Sequence, residues 1–525
     1  MRRSIGCALF AAFAASLAAQ PAALTYRSTV DGSEQPYALY LPAQMDPGRK
    51  LPLVIGLHEE DSNHVVELKR LFGVVGRYGE TGLQALTLFP KLRDVGFIVA
   101  CPFGRGTMGY QGIAEQDVYD VLAEVERRYP VDEDRVYLTG SSMGGGAALW
   151  MALTRPDLWA AVAPVCPAPV PGSEELAANA LDFPVRLFHG ELDPAVPAES
   201  SRQWQKRLLE AGVAADYTEY PGVRHNAWDP AYRNASIFDW FARYKRARDP
   251  DRVRFDTRNA RYASAYWVRI DAFPGGALAG IDAERSGEEL RVRTRNVDAF
   301  TLTTAARTAT IDGAPVRLRP GRPLSFSRTG SAWAQVAAPA ATLPRGPIVE
   351  AVNARHIYVY GDGDETARRN AESAAAWSTE RVRINLKLPL KSDRDVTEED
   401  IASSNLVLFG NARTNRLIAR FAAQLPMELN PGAADYGLLF VAEIGRHRVL
   451  VSSGLPWWTG ADEARRGGYQ FAPATYRLLS TFKDYVLFKG SLANVLAEGY
   501  FDRDGKVPAG AAAKLGASGT VTLSR

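Results

Sequence analysis

The stretch RVYLTGSSMGGGAALWMAL, Arg135 to Leu153, changes character at its centre. Arg135 to Thr139 is a short apolar run of the kind that suits a buried strand, and Ala147 to Leu153 is rich in helix formers. Between them Gly140-Ser141-Ser142-Met143-Gly144 matches G-x-S-x-G. A Ser placed between a strand and a helix must occupy a tight, strained turn to expose its Oγ. Glycines on either side let strand and helix approach closely. Ser142 is therefore the candidate nucleophile, and the backbone N–H of Met143, the next residue, is a candidate donor to an oxyanion.

A Ser hydroxyl attacks poorly at neutral pH without an imidazole base, and the base needs a carboxylate to fix its tautomer. Both follow in chain order. Asp193 lies in His189-Gly190-Glu191-Leu192-Asp193-Pro194, after the strand-like Val185 to Phe188. His225 lies in Gly222-Val223-Arg224-His225-Asn226, after Tyr217 to Tyr220 and a Pro-Gly turn. Glu191 and Asp229 are rival acids. Of the six histidines, His58 and His64 precede the nucleophile, His189 reads as the end of a strand, and His356 and His447 lie far downstream. A second oxyanion donor is expected from the loop Leu57-His58-Glu59-Glu60, at the N–H of Glu59 or, as the alternative, of Glu60. Trp228 and Glu60 are candidates to line a substrate pocket.

Outward from this centre, residues 24–247 alternate strand and helix signals. Leu53 to Leu57, Phe97 to Ala100, Arg135 to Thr139, Ala160 to Val165 and Val185 to Phe188 read as buried parallel strands. Glu115 to Tyr129, Ser200 to Ala211 and Ser236 to Arg243 read as amphipathic helices. The fold class is α/β, with a doubly wound sheet. In residues 251–336 the period becomes two: Leu290, Val292 and Thr294 alternate with Arg291, Arg293 and Arg295, which predicts a small antiparallel β domain. Ala337 to Pro347 reads as a linker. Residues 348–525 return to α/β, with strands at Ile357 to Tyr360, Leu406 to Phe409, Leu438 to Val441 and Val449 to Ser452.

Arg2 and Arg3 followed by the apolar run Ile5 to Ala19 read as a signal peptide over residues 1–19, so the mature protein is expected to be exported without a stable membrane anchor. The 62 basic and 59 acidic residues nearly cancel, and that balance offers no global field for nucleic acid. Cys101 and Cys166 each end a strand-like run and read as small core residues. No metal site and no cofactor is expected. Gly104 to Gly109 matches G-x-G-x-x-G, but the next helix starts too late to receive a dinucleotide, and a loop at the rim of the active site is expected there. Trp457 and Trp458 read as packing rather than as a sugar platform.

The phrases RVYLTGSSMGG, PDLWAAVAPVC, FHGELDPAVP and HNAWDPAY make residues 26–245 resemble the prolyl oligopeptidase-type α/β-hydrolases. They resemble equally the secreted feruloyl and acetyl esterases close to polyhydroxybutyrate depolymerases. The resemblance implies an α/β-hydrolase fold, a Ser142–Asp193–His225 triad, an acyl-enzyme mechanism, and a small-molecule or polysaccharide-linked ester as substrate. A serine peptidase and a degenerate binding module are the alternatives, and for a peptidase Arg105 or Glu60 would bind a peptide terminus. Two departures stand out. The family usually has Gly where this chain has Glu59. No propeller precedes the first core strand to gate peptide entry.

Overall fold

The computed structural model describes residues 21–524 apart from 47, 78, 88, 320, 322, 338–345, 377–385, 387, 465–473 and 518. The expected leader and most of the expected linker lie outside these residues.

Eight strands form the first sheet: β1 (Ala22–Arg27), β2 (Glu34–Tyr40), β3 (Leu51–Leu57), β4 (Ile98–Pro102), β5 (Val131–Ser141), β6 (Ala161–Val165), β7 (Val185–Gly190) and β8 (Ala215–Tyr220). Their order is β1-β2-β4-β3-β5-β6-β7-β8. From β4 to β8 every pairing is parallel, whereas β1 and β2 join antiparallel at one edge. The strand-like runs expected from sequence all fall within this parallel part. The edge strands went unread because β1 is half exposed and lacks a continuous apolar run.

Helices α1 (His64–Leu71), α2 (Gly82–Thr87), α3 (Ile113–Arg128), α4 (Met143–Thr154), α5 (Glu199–Glu210), α6 (Trp228–Ala231) and α7 (Ser236–Phe241) connect these strands. Strand periodicity of two sends neighbours to opposite faces. Leu53 and Ile55 thus join Val118 and Ala147 in one core, while Val54 and Val99 join Leu68 and Phe238 in another. The central strands are buried on both sides, which explains their unbroken apolar runs.

Downstream, Arg252–Thr257 to Ala332–Val336 build two five-stranded sheets around one apolar core. Leu290 and Val292 point inward and the three arginines outward, as expected. The arrangement is not wholly antiparallel: Glu289–Arg295 pairs parallel with Thr308–Ile311. A third region holds a mixed seven-stranded sheet. Within it His356–Tyr360, Asn405–Phe409 and His447–Gly454 run parallel, and Tyr436–Ile444 and Tyr485–Lys489 run antiparallel. Trp457 is buried there, its indole N–H donating to Thr475 O, and Trp458 meets it edge-on. The three regions share contacts. Val30, Met108, Ile113 and Ala114 are buried in the same cluster as Ile348, Val349 and Tyr476. The Tyr262 hydroxyl donates to Glu115 of α3.

Candidate active site

Ser142 stands where β5 ends and α4 begins, with φ 53° and ψ −112°. A non-glycine residue in this region carries backbone strain of about 1–3 kcal/mol, held in place by its surroundings. Here the surroundings are backbone. A Cβ on Gly144 would stand 2.1 Å from Leu57 O and 2.8 Å from His58 O. One on Gly140 would stand 2.5 Å from Gly144 O. Only glycine lets α4 start so close to β3 and β5. Asp61, Arg105, Tyr110 and Cys166, in the loops after β3, β4 and β6, also have positive φ. Strain therefore gathers at the carboxyl ends of the central strands, where α/β sheets place their sites.

The loops after β7 and β8 bring Asp193 and His225 to this end. The Ser142 hydroxyl lies 2.9 Å from His225 Nε2, and His225 Nδ1 lies 2.6 Å from Asp193 Oδ2. The ionised acid can only accept from Nδ1–H, so Nε2 is left free to accept the serine proton. Asp193 Oδ1 accepts from the N–H groups of Ala195 and Val196. Burial alone would raise the Asp193 pKa, but hydrogen bonds from His189, His225 and these two amides outweigh it and hold the carboxyl well below the usual range. The rival acids are engaged elsewhere: Glu191 accepts from Gly222 N–H and Asp229 from the Asn226 side chain.

His189 does end a strand and is fully buried. Its Nδ1 meets Ser201 Oγ, and its Nε2 donates to Val196 O with a longer contact to Asp193. Among the described residues, the one group with metal-ligand spacing is Cys166, His189 and Asp193. Its members are already committed to the support of the site, since the Cys166 thiol also donates to His225 O. Cys101 and Cys166 are unpaired and buried.

A cleft of about 790 Å³ opens over Ser142. Glu59, Glu60, Trp228 and His225 all line it, so the expected pocket residues are brought together. Trp228 is not an open platform: its ring meets His225 edge-on at 5.4 Å and lies 5.0 Å beneath the Arg70 guanidinium. Arg70 also lines the cleft and pairs with the Glu59 carboxylate. Sequence reasoning missed Arg70, although a carboxylate in a loop that needs only an N–H invites a search for its cation. The G-x-G-x-x-G loop contributes nothing to the cleft lining, against the expectation of a rim loop. Arg105 is buried between Asp31 and Asp117 and is not placed to meet a substrate. Tyr110, the residue after this loop, braces the segment after β3, its hydroxyl accepting from His58 N–H.

The N–H of Met143 is the first of α4, where no carbonyl of the same helix is available to it. The helix dipole adds partial positive charge at that point.

The first region carries the α/β-hydrolase fold. Residues 106–245 match the model of the dienelactone hydrolase family. Solved structures similar to part of this chain include a thermostable esterase, 27% identical over 43% of this chain and 64% of that one, with a TM-score of 0.35. The match therefore spans less than two thirds of that esterase. A ferulic acid esterase from the anaerobic fungus Anaeromyces mucronatus is 19% identical over 43% and 91%, with a TM-score of 0.33. An acylaminoacyl peptidase in complex with Z-Gly-Gly-Phe-chloromethyl ketone is 16% identical over 43% and 42%, with a TM-score of 0.32.

Proposed function

We propose that the protein is an exported carboxylic-ester hydrolase that works through a Ser142 acyl-enzyme. The observation that carries the reading is the unbroken hydrogen-bond line from Ser142 Oγ through His225 to Asp193. His225 Nε2 takes the Ser142 proton as Oγ bonds to the ester carbonyl carbon. The carbonyl oxygen becomes an oxyanion held by the N–H groups of Met143 and Glu59. When the tetrahedral adduct collapses, the C–O bond to the alcohol breaks and His225 returns the proton to the leaving oxygen. Water, deprotonated by His225, then attacks the acyl-enzyme and frees the acid and Ser142. Asp193 stays ionised throughout, opposite the imidazolium.

An ester is favoured over a peptide by the openness of the site. Every described residue that lines the cleft lies between Glu59 and Asp229, and no described residue of the downstream regions is among them. Ester substrates, free or attached to polysaccharide, would reach Ser142 directly. The basic and then apolar residues 1–19 support export, and the amino-terminal sequence of the mature protein tests it.

A fluorophosphonate probe should label the protein at Ser142, and Ser142→Ala should abolish labelling and lower kcat for p-nitrophenyl acetate by at least about 10³-fold. Folded protein that takes no label would overturn the reading and favour a binding module. Cleavage of Pro- or Ala-anilides without hydrolysis of phenyl or feruloyl esters would replace esterase by peptidase.

A further inference from the structure

Glu59 poses a problem for the proposed site. Its N–H serves the oxyanion in that reading, yet its side chain is a carboxylate that lines the same cleft as Ser142. A negative charge developing on the substrate would meet a fixed one. The carboxylate, however, has a dedicated partner. Arg70 Nη1 pairs with Glu59 Oε2, and the two side chains are only 9% and 12% exposed. Solvent and salt screen such a pair far less than one on the surface.

The pairing is built into the loop. The chain runs from Glu59 into α1, whose first turn is fixed by Asn63 Oδ1 accepting from Val65 and Val66 N–H. Arg70 rides on the last turn of that helix and comes back over the loop. The neighbouring cation, Lys69, is taken up by Glu80 at 2.7 Å. Arg70 also lies over Trp228, which in turn presses edge-on against His225.

We infer that Arg70 is a positioning residue that acts through Glu59, neutralising and anchoring its carboxylate so that the loop offers the oxyanion an N–H and not a charge. The inference rests on the proposed serine-hydrolase reading. It explains how the loop works with Glu where Gly is usual. It also separates two roles for Arg70, since a purely structural Arg70 would act through Trp228 whatever stands at residue 59.

The test is a double-mutant cycle on saturated hydrolysis of p-nitrophenyl acetate. Arg70→Met keeps the aliphatic stem over Trp228 and removes the charge. It should lower kcat by about 30- to 100-fold, somewhat less than the roughly 100- to 1,000-fold loss of a whole oxyanion donor, with KM within about threefold. In a Glu59→Gln background the same replacement should cost less than about fivefold, because the oxyanion loop then carries no carboxylate for Arg70 to neutralise. Equal costs in both backgrounds, or a loss below about threefold in the wild-type background, would overturn the inference. If Arg70→Met does not fold, the Glu59→Gln background decides alone: a loss beyond about tenfold there assigns Arg70 to packing. Wild-type protein that neither hydrolyses the ester nor takes a fluorophosphonate would overturn the site reading itself. Active wild-type protein with equal costs would overturn only the role of Arg70.

Discussion

Burial pushes up the pKa of two carboxyl groups near the site, but their partners differ and the net shifts are opposite. Asp193 has two histidines and two amides around it, so its pKa is depressed. Its contribution to stability is present above the usual aspartate range and lost only as pH falls through its lower folded-state value. It does not titrate between pH 5 and 8. Glu67 of α1 is fully buried, and neither carboxylate oxygen has a hydrogen-bond partner among the described residues. Burial, reinforced by the nearby Glu59 charge and opposed by Arg70, raises its pKa well above the usual value. The sign therefore reverses. Stability is fully retained below the usual glutamate range and is lost as pH rises through the folded-state value. Gln cannot ionise, so Glu67→Gln should unfold at nearly the wild-type temperature at pH 4.5. It should unfold at least about 2 °C higher at pH 8, as expected for a gain near 1 kcal/mol in a domain of this size. A difference in Tm that stays constant with pH would show that Glu67 is solvated or paired. Neither Glu67 nor Arg70 was legible in the sequence. Charged side chains usually mark a solvated helix face, yet Glu67, Lys69 and Arg70 of α1 are all buried. That Ser142, Asp193 and His225 would meet was legible because a Gly-flanked turn and the order of the strand ends can be read along the chain.

At the scale of elements, the nucleophile depends on how closely β3, β5 and α4 converge. The two glycines flanking Ser142 occupy space that backbone carbonyls leave to hydrogen alone, with Leu57 O only 2.1 Å from a Gly144 Cβ. Real Cβ atoms do not approach so closely, so Gly144→Ala must push α4 outward or unwind its first turn. Either movement displaces Ser142 Oγ and Met143 N–H together. The variant should lose more than about 100-fold in kcat and in the rate of fluorophosphonate labelling, since small misplacements at a reacting centre cost this much. Retained labelling would mean that the loop after β3 yields instead. The elbow was readable because Gly-x-Ser-x-Gly states its own steric requirement. Strands β1 and β2 were not, because an edge hairpin is specified by pairing with β4 and not by an apolar run of its own. The parallel pairing of Glu289–Arg295 with Thr308–Ile311 escaped for a similar reason: alternation fixes which face is buried but not the direction of the neighbouring strand.

For the whole molecule, the first region holds the described cleft, but it does not bury its own surface unaided. Val30, Met108, Ile113 and Ala114 are covered by residues of the third region, and Tyr262 caps Glu115 from the second. Asn179 exchanges two hydrogen bonds with the backbone of Asp256, and Glu175 pairs with Arg258. Hydrophobic patterning marks such residues as buried without saying what buries them, so the join was invisible to sequence reasoning even where the expected boundary at 247 was drawn. Uncovering Val30, Met108 and Ile113 would cost up to about 1.5–3 kcal/mol each, a large fraction of the roughly 5–15 kcal/mol that holds a domain together. A chain ending at residue 247 should therefore unfold at least about 10 °C below the full-length protein or aggregate, although the whole described cleft is retained. Replacing the uncovered Met108 and Ile113 by Thr should restore solubility of the short chain without restoring its Tm. If the truncated chain instead unfolds at the full-length temperature and takes a fluorophosphonate at the full-length rate, the downstream regions are passengers. Their role would then lie outside both the stability and the chemistry of Ser142.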